Sequence, residues 1–220
     1  MNDTRTIFHV DVNSAFLSWS ALKKLKDEPG SVDLRTIPSA VGGDVKTRHG
    51  IITAKSIPAK KYNIQTGEPV VKALQKCPQL VMVPSDFETY HYYSGVLMEL
   101  LLEFSPILQQ ISIDEAFLDV SDLVNDRKSA ILLADKIRQT VFKRLAFTVN
   151  VGISENKLLA KMASDFQKPD RTHTLFPDEI PDKMWPLSIE KLFGCGEATS
   201  RKLQGIGIHT IGDAASMPLQ

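Results

Sequence analysis

Cysteine is scarce in this chain. Cys77 and Cys195 stand far apart and match neither a disulfide framework nor a zinc-ligand spacing. No apolar run approaches the roughly eighteen residues that a membrane span needs. The opening MNDTRTIFHVDVNSAF has no basic stretch leading into a long apolar one, so no secretory signal is visible. Internal repeats and low-complexity segments are missing as well. Net charge is missing too: 26 Lys and Arg face 26 Asp and Glu, which by itself argues against a tight nucleic-acid binder. What these absences leave is an ordinary globular protein, expected in the cytoplasm and without a membrane partner. Its 220 residues, 43% of them hydrophobic, suffice for one large domain or a compact core with smaller appendages.

Charge that vanishes in the sum is uneven along the chain. From Val45 to Gly67 the charged residues are Lys46, Arg48, Lys55, Lys60 and Lys61, joined by His49, with no Asp or Glu. Such a run is either a solvated basic face or a site for phosphates.

Ile7–Val12 (IFHVDV) predicts a strand buried on both faces. Asp11 near its end either caps the next turn or points into a site. Asn13 and Ser14 can cap a helix from Ala15 to about Lys26, whose buried face is Phe16, Leu17, Ala21, Leu22 and Leu25, and Pro29-Gly30 ends it. Short strands and turns are expected over 33–53, and a short helix over 54–62 with Pro58 in its first turn. Further helices are predicted over 69–76, 87–104, 129–144 and 157–166, and strands over 80–84 and 147–154. The helix over 129–144 places Ile131, Leu132, Ala134, Ile137 and Val141 at helical spacing. This order fits an α+β fold, a mixed sheet with helices packed on one face. After Lys168-Pro169-Asp170 the pieces become short and helical. There KLFGCGEATSRKL, with Gly194 and Gly196, and GIGIHTIGDAA suggest a helix-hairpin-helix, whose glycine turns can hold a nucleic-acid backbone.

The stretch ISIDEAFLDV (111–120) predicts a strand, a tight turn and a second strand, with Asp114 and Glu115 at the bend. Alternation along a strand sends neighbours to opposite faces, so two adjacent carboxylates converge only where the strand breaks beside or between them. Acidic residues also simply favour turns. Together with Asp11, the basic run and the phosphate-compatible hairpin, the pair suggests two-metal phosphoryl transfer. That chemistry requires carboxylates on a rigid sheet to hold two Mg²⁺ about 3.5–4 Å apart, and lysines to orient a triphosphate.

HVDVNSAF, ITAKSIPAKKYNI, SIDEAFLD and VGISENKLLAKMASDFQKPD occur in the order and spacing of the Y-family translesion DNA polymerases, and the resemblance covers nearly the whole chain. It is closest to the bacterial polymerase IV branch. It implies an error-prone, template-directed polymerase that adds deoxynucleotides to a primer using two Mg²⁺, with Mn²⁺ as a substitute. Asp11, Asp114 and Glu115 would be the metal carboxylates, aided by the carbonyl of Val12. Phe16 would be the steric gate against a ribose hydroxyl, with a core role as the alternative. Lys161 and Lys60 would contact the triphosphate, and Ile51 and Thr53 would roof the nascent base pair. Two positions depart from the family pattern. Ile57 replaces a tyrosine whose hydroxyl contacts the triphosphate, a contact that Ser56 could supply, and Asn13 stands where aspartate is frequent.

The same resemblance divides the chain into a palm (1–13 and 80–170), fingers (14–79) and a helical thumb (171–220). A further DNA-gripping little-finger domain is expected beyond Gln220. Primer-template DNA and deoxynucleoside triphosphates are the implied partners, and a sliding clamp would bind through that C-terminal region. The alternatives are a catalytically silent polymerase-like scaffold that binds DNA and recruits repair proteins, and a nucleotidyl cyclase built on a similar palm.

Overall fold

The computed structural model describes residues 5–43 and 50–218. Lys46, Arg48 and His49 of the basic run lie outside the described residues.

β1 (Ile7–Val12) lies at the centre of a five-stranded mixed sheet. It pairs antiparallel on one side with β6 (Glu115–Asp119), and β6 pairs with β5 (Leu108–Gln110). On its other side it pairs antiparallel with β7 (Val149–Ser154), and β7 runs parallel to β8 (Thr172–Thr174). A smaller three-stranded sheet holds β2 (Ser39–Gly42) between β3 (Ile52–Lys55) and β4 (Val81–Val83). The strands therefore build two sheets, not the single sheet that their alternation with helices suggests.

Alternation along β1 sorts its side chains to two faces. Phe8, Val10 and Val12 enter the main core with Leu118, Val149, Val151 and Ile153. The same core takes in α1 (Ala15–Asp27), α4 (Phe87–Leu102) and α5 (Arg127–Leu145). The opposite face is covered by the short α6 (Lys157–Ser164), where Ile7, Phe117 and Ala160 pack together. Gly152 permits that approach, since a Cβ there would stand 2.0 Å from the carbonyl oxygen of Ala160.

Several boundaries differ from the sequence expectation for identifiable reasons. The first strand of the acidic hairpin is 108–110, and residues 111–114 form the bend, where the amides of Ile111 and Ser112 both donate to the carbonyl of Glu115. Ala54 and Lys55 belong to β3; the helix α2 covers only Ile57–Lys60, because Ser56 caps it by accepting from Ala59 N. Near the expected divisions at 80 and 170, β4 pairs with β2 in the smaller sheet and β8 extends the larger one.

In α1 the buried face centres on Leu17, Trp19 and Ala21. In α5 it is Ala130, Ala134, Ile137 and Val141, while Leu132 remains exposed. At the C-terminal end, beyond α7 (Ile180–Lys183), the pair α8 (Glu197–Gly205) and α9 (Ile211–Ala215) shares a core with Leu159 and Met162 of α6 through Ile208, in the loop between the two helices, and Ile211 of α9. α3 (Val70–Lys76) closes the small sheet's core through Val70 and Ala73.

Candidate active site

Asp11 and Glu115 stand opposite each other in the β1–β6 register. Glu115 is the first residue of β6, so the chain bends just before it and Asp114 is released from the strand alternation. The amide of Val12 donates to the carbonyl of Asp114 (3.1 Å), which ties that bend to the end of β1. Ser112 Oγ lies 2.7 Å from Asp114 Oδ1 and 3.2 Å from Glu115 Oε1, so a single hydroxyl orders both carboxylates. Sequence reasoning passed over this serine.

Charge compensation around these acids is dense. Glu115 is bonded to the Lys161 ammonium, and its Oε2 lies 3.0 Å from Nε2 of the fully buried His9. His9 Nδ1 in turn lies 2.8 Å from Ser164 Oγ on α6. Lys161 also approaches Asp11 (3.5 Å). Lys168 holds Asp11 at 3.0 Å and Asp165 at 2.9 Å. The His9 hydrogen bond, supported by Lys161, pulls the Glu115 carboxyl down to about 2. Asp114 moves the other way: burial raises it, the Asp11 and Glu115 charges add to the rise, and the Ser112 bond only partly offsets them. Burial opposes the Lys161 charge, yet the Glu115 bond and the charges of Asp11 and Asp165 leave its pKa raised.

Over the carboxylates opens a cleft of about 400 Å³, lined by Asp11 and Val12 from β1, by Asp114 from the bend before β6, by Thr53 and Lys55 from β3 and by Lys60 from α2. Phe16 lines it too, half-buried and stacked on Tyr90 at 4.6 Å between ring centroids. Ser14 lies at the same rim in the left-handed region (φ 50°, ψ 51°), a conformation that costs a non-glycine residue energy. It offers α1 no side-chain cap. Asn13 does not cap the helix with its side chain either; it donates to Asn150 Oδ1 (3.1 Å) and accepts from the Asp170 amide (2.9 Å). The asparagine thus holds the segment after α6 in place, and its departure from the family pattern leaves the carboxylate cluster intact.

Other expected site residues are distributed less evenly. Lys161 lies on the carboxylates beneath the cleft, whereas Lys168, unmarked in the sequence reading, lines the cleft itself. The available signal was its place in the specific QKPD stretch. The hydroxyl of Ser56 donates to the carbonyl of Ile37 and accepts from the amides of Ser39 and Ala59, so it is committed to the fold and cannot stand in for a tyrosine hydroxyl at Ile57. Ile51 is exposed and bridges to Pro69. Gly194, with φ +86°, and Gly196, the N-cap of α8, lie in the C-terminal hairpin. Beside them, the ring of Phe193 stands 5.8 Å from the Lys161 ammonium.

A mixed sheet with acids at the ends of two adjacent strands, beneath a lysine-lined cleft closed by a second sheet, offers carboxylates to a cation and ammonium groups to an anion such as phosphate. The chain belongs to the impB/mucB/samB family, whose profile matches residues 10–165. It is 50% identical over 212 residues to a DNA polymerase IV of Clostridium acetobutylicum, covering 96% of this chain and 53% of that protein. Among solved structures it resembles DinB from Sulfolobus solfataricus, with a TM-score of 0.83, 29% identity and coverage of 97% and 60% of the two chains. It also resembles an insertion ternary complex of Dbh DNA polymerase, with a TM-score of 0.82, 28% identity and coverage of 97% and 61%. The chain therefore spans a little over half the length of the relatives it matches.

Proposed function

We propose that this chain carries the catalytic site of a template-directed, lesion-bypass DNA polymerase, which joins a deoxynucleotide to a primer 3′-hydroxyl and releases pyrophosphate. The observation that carries this reading is the pairing of Asp11 with Glu115 across β1 and β6, with Asp114 freed at the bend and lysines above. The names of the relatives support it.

The donor set fits divalent metal. His9, Asp11 and Glu115 each offer one ligand atom, and these atoms lie within 4.8 Å of one another. Carboxylate oxygens suit Mg²⁺ or Mn²⁺. Asp11, Asp114, Glu115 and the Val12 carbonyl would hold the ions. Bound there, such ions lower the pKa of the attacking hydroxyl and neutralise the leaving pyrophosphate.

The chain's own residues do the rest. Phe16 blocks a 2′-hydroxyl, and Thr53 with Ile51 roofs the base pair. Lys60 and Lys168 hold the phosphates from opposite walls of the cleft. Lys55, whose pKa is lowered by burial and by Lys60, adds a third ammonium group to the cleft. Lys161 acts from below by fixing Glu115. The larger sheet with α4–α6 would serve as palm, the smaller sheet with α2 and α3 as fingers. The C-terminal helices would serve as thumb, its Gly194–Gly196 turn holding DNA backbone. A cytoplasmic location and a clamp contact through further C-terminal sequence complete the reading. Among the described residues no helix is long and apolar enough to cross a membrane.

The test is primer extension with Mg²⁺. The double variant Asp114→Ala, Glu115→Ala should fold and lose extension; undiminished synthesis by it would refute the site.

A further inference from the structure

A second cavity of about 300 Å³ lies between the start of α1, the end of α5 and α2, a size at the lower end for small-molecule sites. Its walls are mostly carbon, from Leu17, Ile57, Phe142 and Phe147. Ile57 and Phe142 are 49% and 58% exposed, so the cavity leaves apolar surface to water that an occupant would cover. Arg35 also lines it, its guanidinium held by Asp33 and by the carbonyl of Ala146.

This cavity meets the catalytic cleft at Ser14, Lys60 and Lys168, which line both. Asp11, Asp114, Phe16 and Thr53 line only the cleft. Sugar and base therefore belong at one end, the reacting phosphate at the acids, and the remaining phosphates at the two shared lysines. The terminal phosphate then faces the carbon-walled cavity. A bare phosphate gains nothing from such a wall, whereas a planar apolar group attached to it gains burial.

We propose that the cavity binds a planar apolar group esterified to the terminal phosphate of the incoming nucleotide, so that the chain accepts terminal-phosphate esters of deoxynucleoside triphosphates as substrates. The inference rests on the polymerase reading. In the step itself the primer O3′ loses its proton and bonds to the α-phosphorus, the bond from that phosphorus to the bridging oxygen breaks, and pyrophosphate departs still carrying the ester group. No other reactant is consumed.

The test compares dTTP with its γ-phenyl ester on a primer-template with adenine as the next template base. The ester should show a KM roughly tenfold below that of dTTP, the worth of removing about one aromatic face from water, with kcat within about twofold. Phe142→Ala, at an exposed helix position, should raise the KM of the ester toward that of dTTP and leave the dTTP constants unchanged, which also reports intact folding. Discrimination against the ester by tenfold or more overturns the proposal. So does equal use of it by the parent chain and Phe142→Ala, because the group would then project into solvent. Failure to incorporate dTTP itself removes the polymerase reading and this inference together.

Discussion

Glu115 keeps its charge because His9 and Lys161 converge on it from β1 and α6. A carboxyl whose pKa falls on folding stabilises the fold above its unfolded value and loses that contribution as pH drops through the native one. For Glu115 the window runs from about 4.5 down to about 2. In chelator, the parent chain should therefore lose more stability across this window than Glu115→Gln, as measured by urea unfolding at stepped pH. Asp114 has the opposite sign: its raised pKa means that its charge is a liability in the metal-free fold. Asp114→Asn should melt higher than the parent at pH 7 in chelator, and the gain should vanish as acid protonates the parent's carboxyl. Phe16 raises a separate question, since it both lines the cleft and stacks on Tyr90. Phe16→Ala should increase ribonucleotide use by roughly tenfold or more; unchanged sugar choice would return the ring to the core. Asp11, Asp114 and Glu115 were legible because acids in apolar runs need compensation. His9 and Ser112 were not, because a histidine inside IFHVDV or a serine before a bend signals nothing until the strands pair.

Elements were easier to read than their ends. α1, α4 and α5 follow from periodicity, because each buries a face that its sequence repeats, and β1 and β7 follow from short, mostly apolar runs buried on both faces. β8 was missed: Thr172–Thr174 is three half-buried polar residues whose only strand signal is the parallel pairing with Val151–Ile153. The beginning of α2 was misplaced for a local reason, the Ser56 cap. Gly152 links sequence to site most directly at this scale. Its missing side chain lets α6 lie against β7, with the Ala160 carbonyl and the Ser164 amide where a Cβ would be, and α6 carries Lys161 and Ser164 to Glu115 and His9. Gly152→Ala pits backbone against backbone, so no side-chain rotation relieves it. Destabilisation of about 1–3 kcal/mol, read by chemical denaturation, should accompany a fall in extension rate larger than that of an equally destabilising change in α5. A variant as stable and active as the parent would show that α6 is not held by this contact.

For the whole molecule, opposite charges that cancel over the sequence also meet at the site, where Lys161 and Lys168 offset part of the charge of Asp11, Asp114, Glu115 and Asp165. How the two sheets share the cleft was not legible locally, since nothing in LVMVP says that β4 joins β2 rather than β1. The consequence is energetic. A divalent ion arriving alone has to displace ammonium groups from the acids, while a triphosphate gives those same lysines another anion to hold. Metal and nucleotide binding should therefore help each other, and by linkage each must raise the affinity of the other by the same factor. With dNTP present, Mn²⁺ should bind at least about tenfold more tightly, measured by the spin-resonance signal of free Mn²⁺ after subtracting the nucleotide's own chelation. Lys168→Met removes one competitor from Asp11, so it should tighten Mn²⁺ binding in the absence of nucleotide and shrink the coupling. Weaker metal binding by this variant, with the coupling intact, would mean that Lys168 supports the acids and does not compete for them.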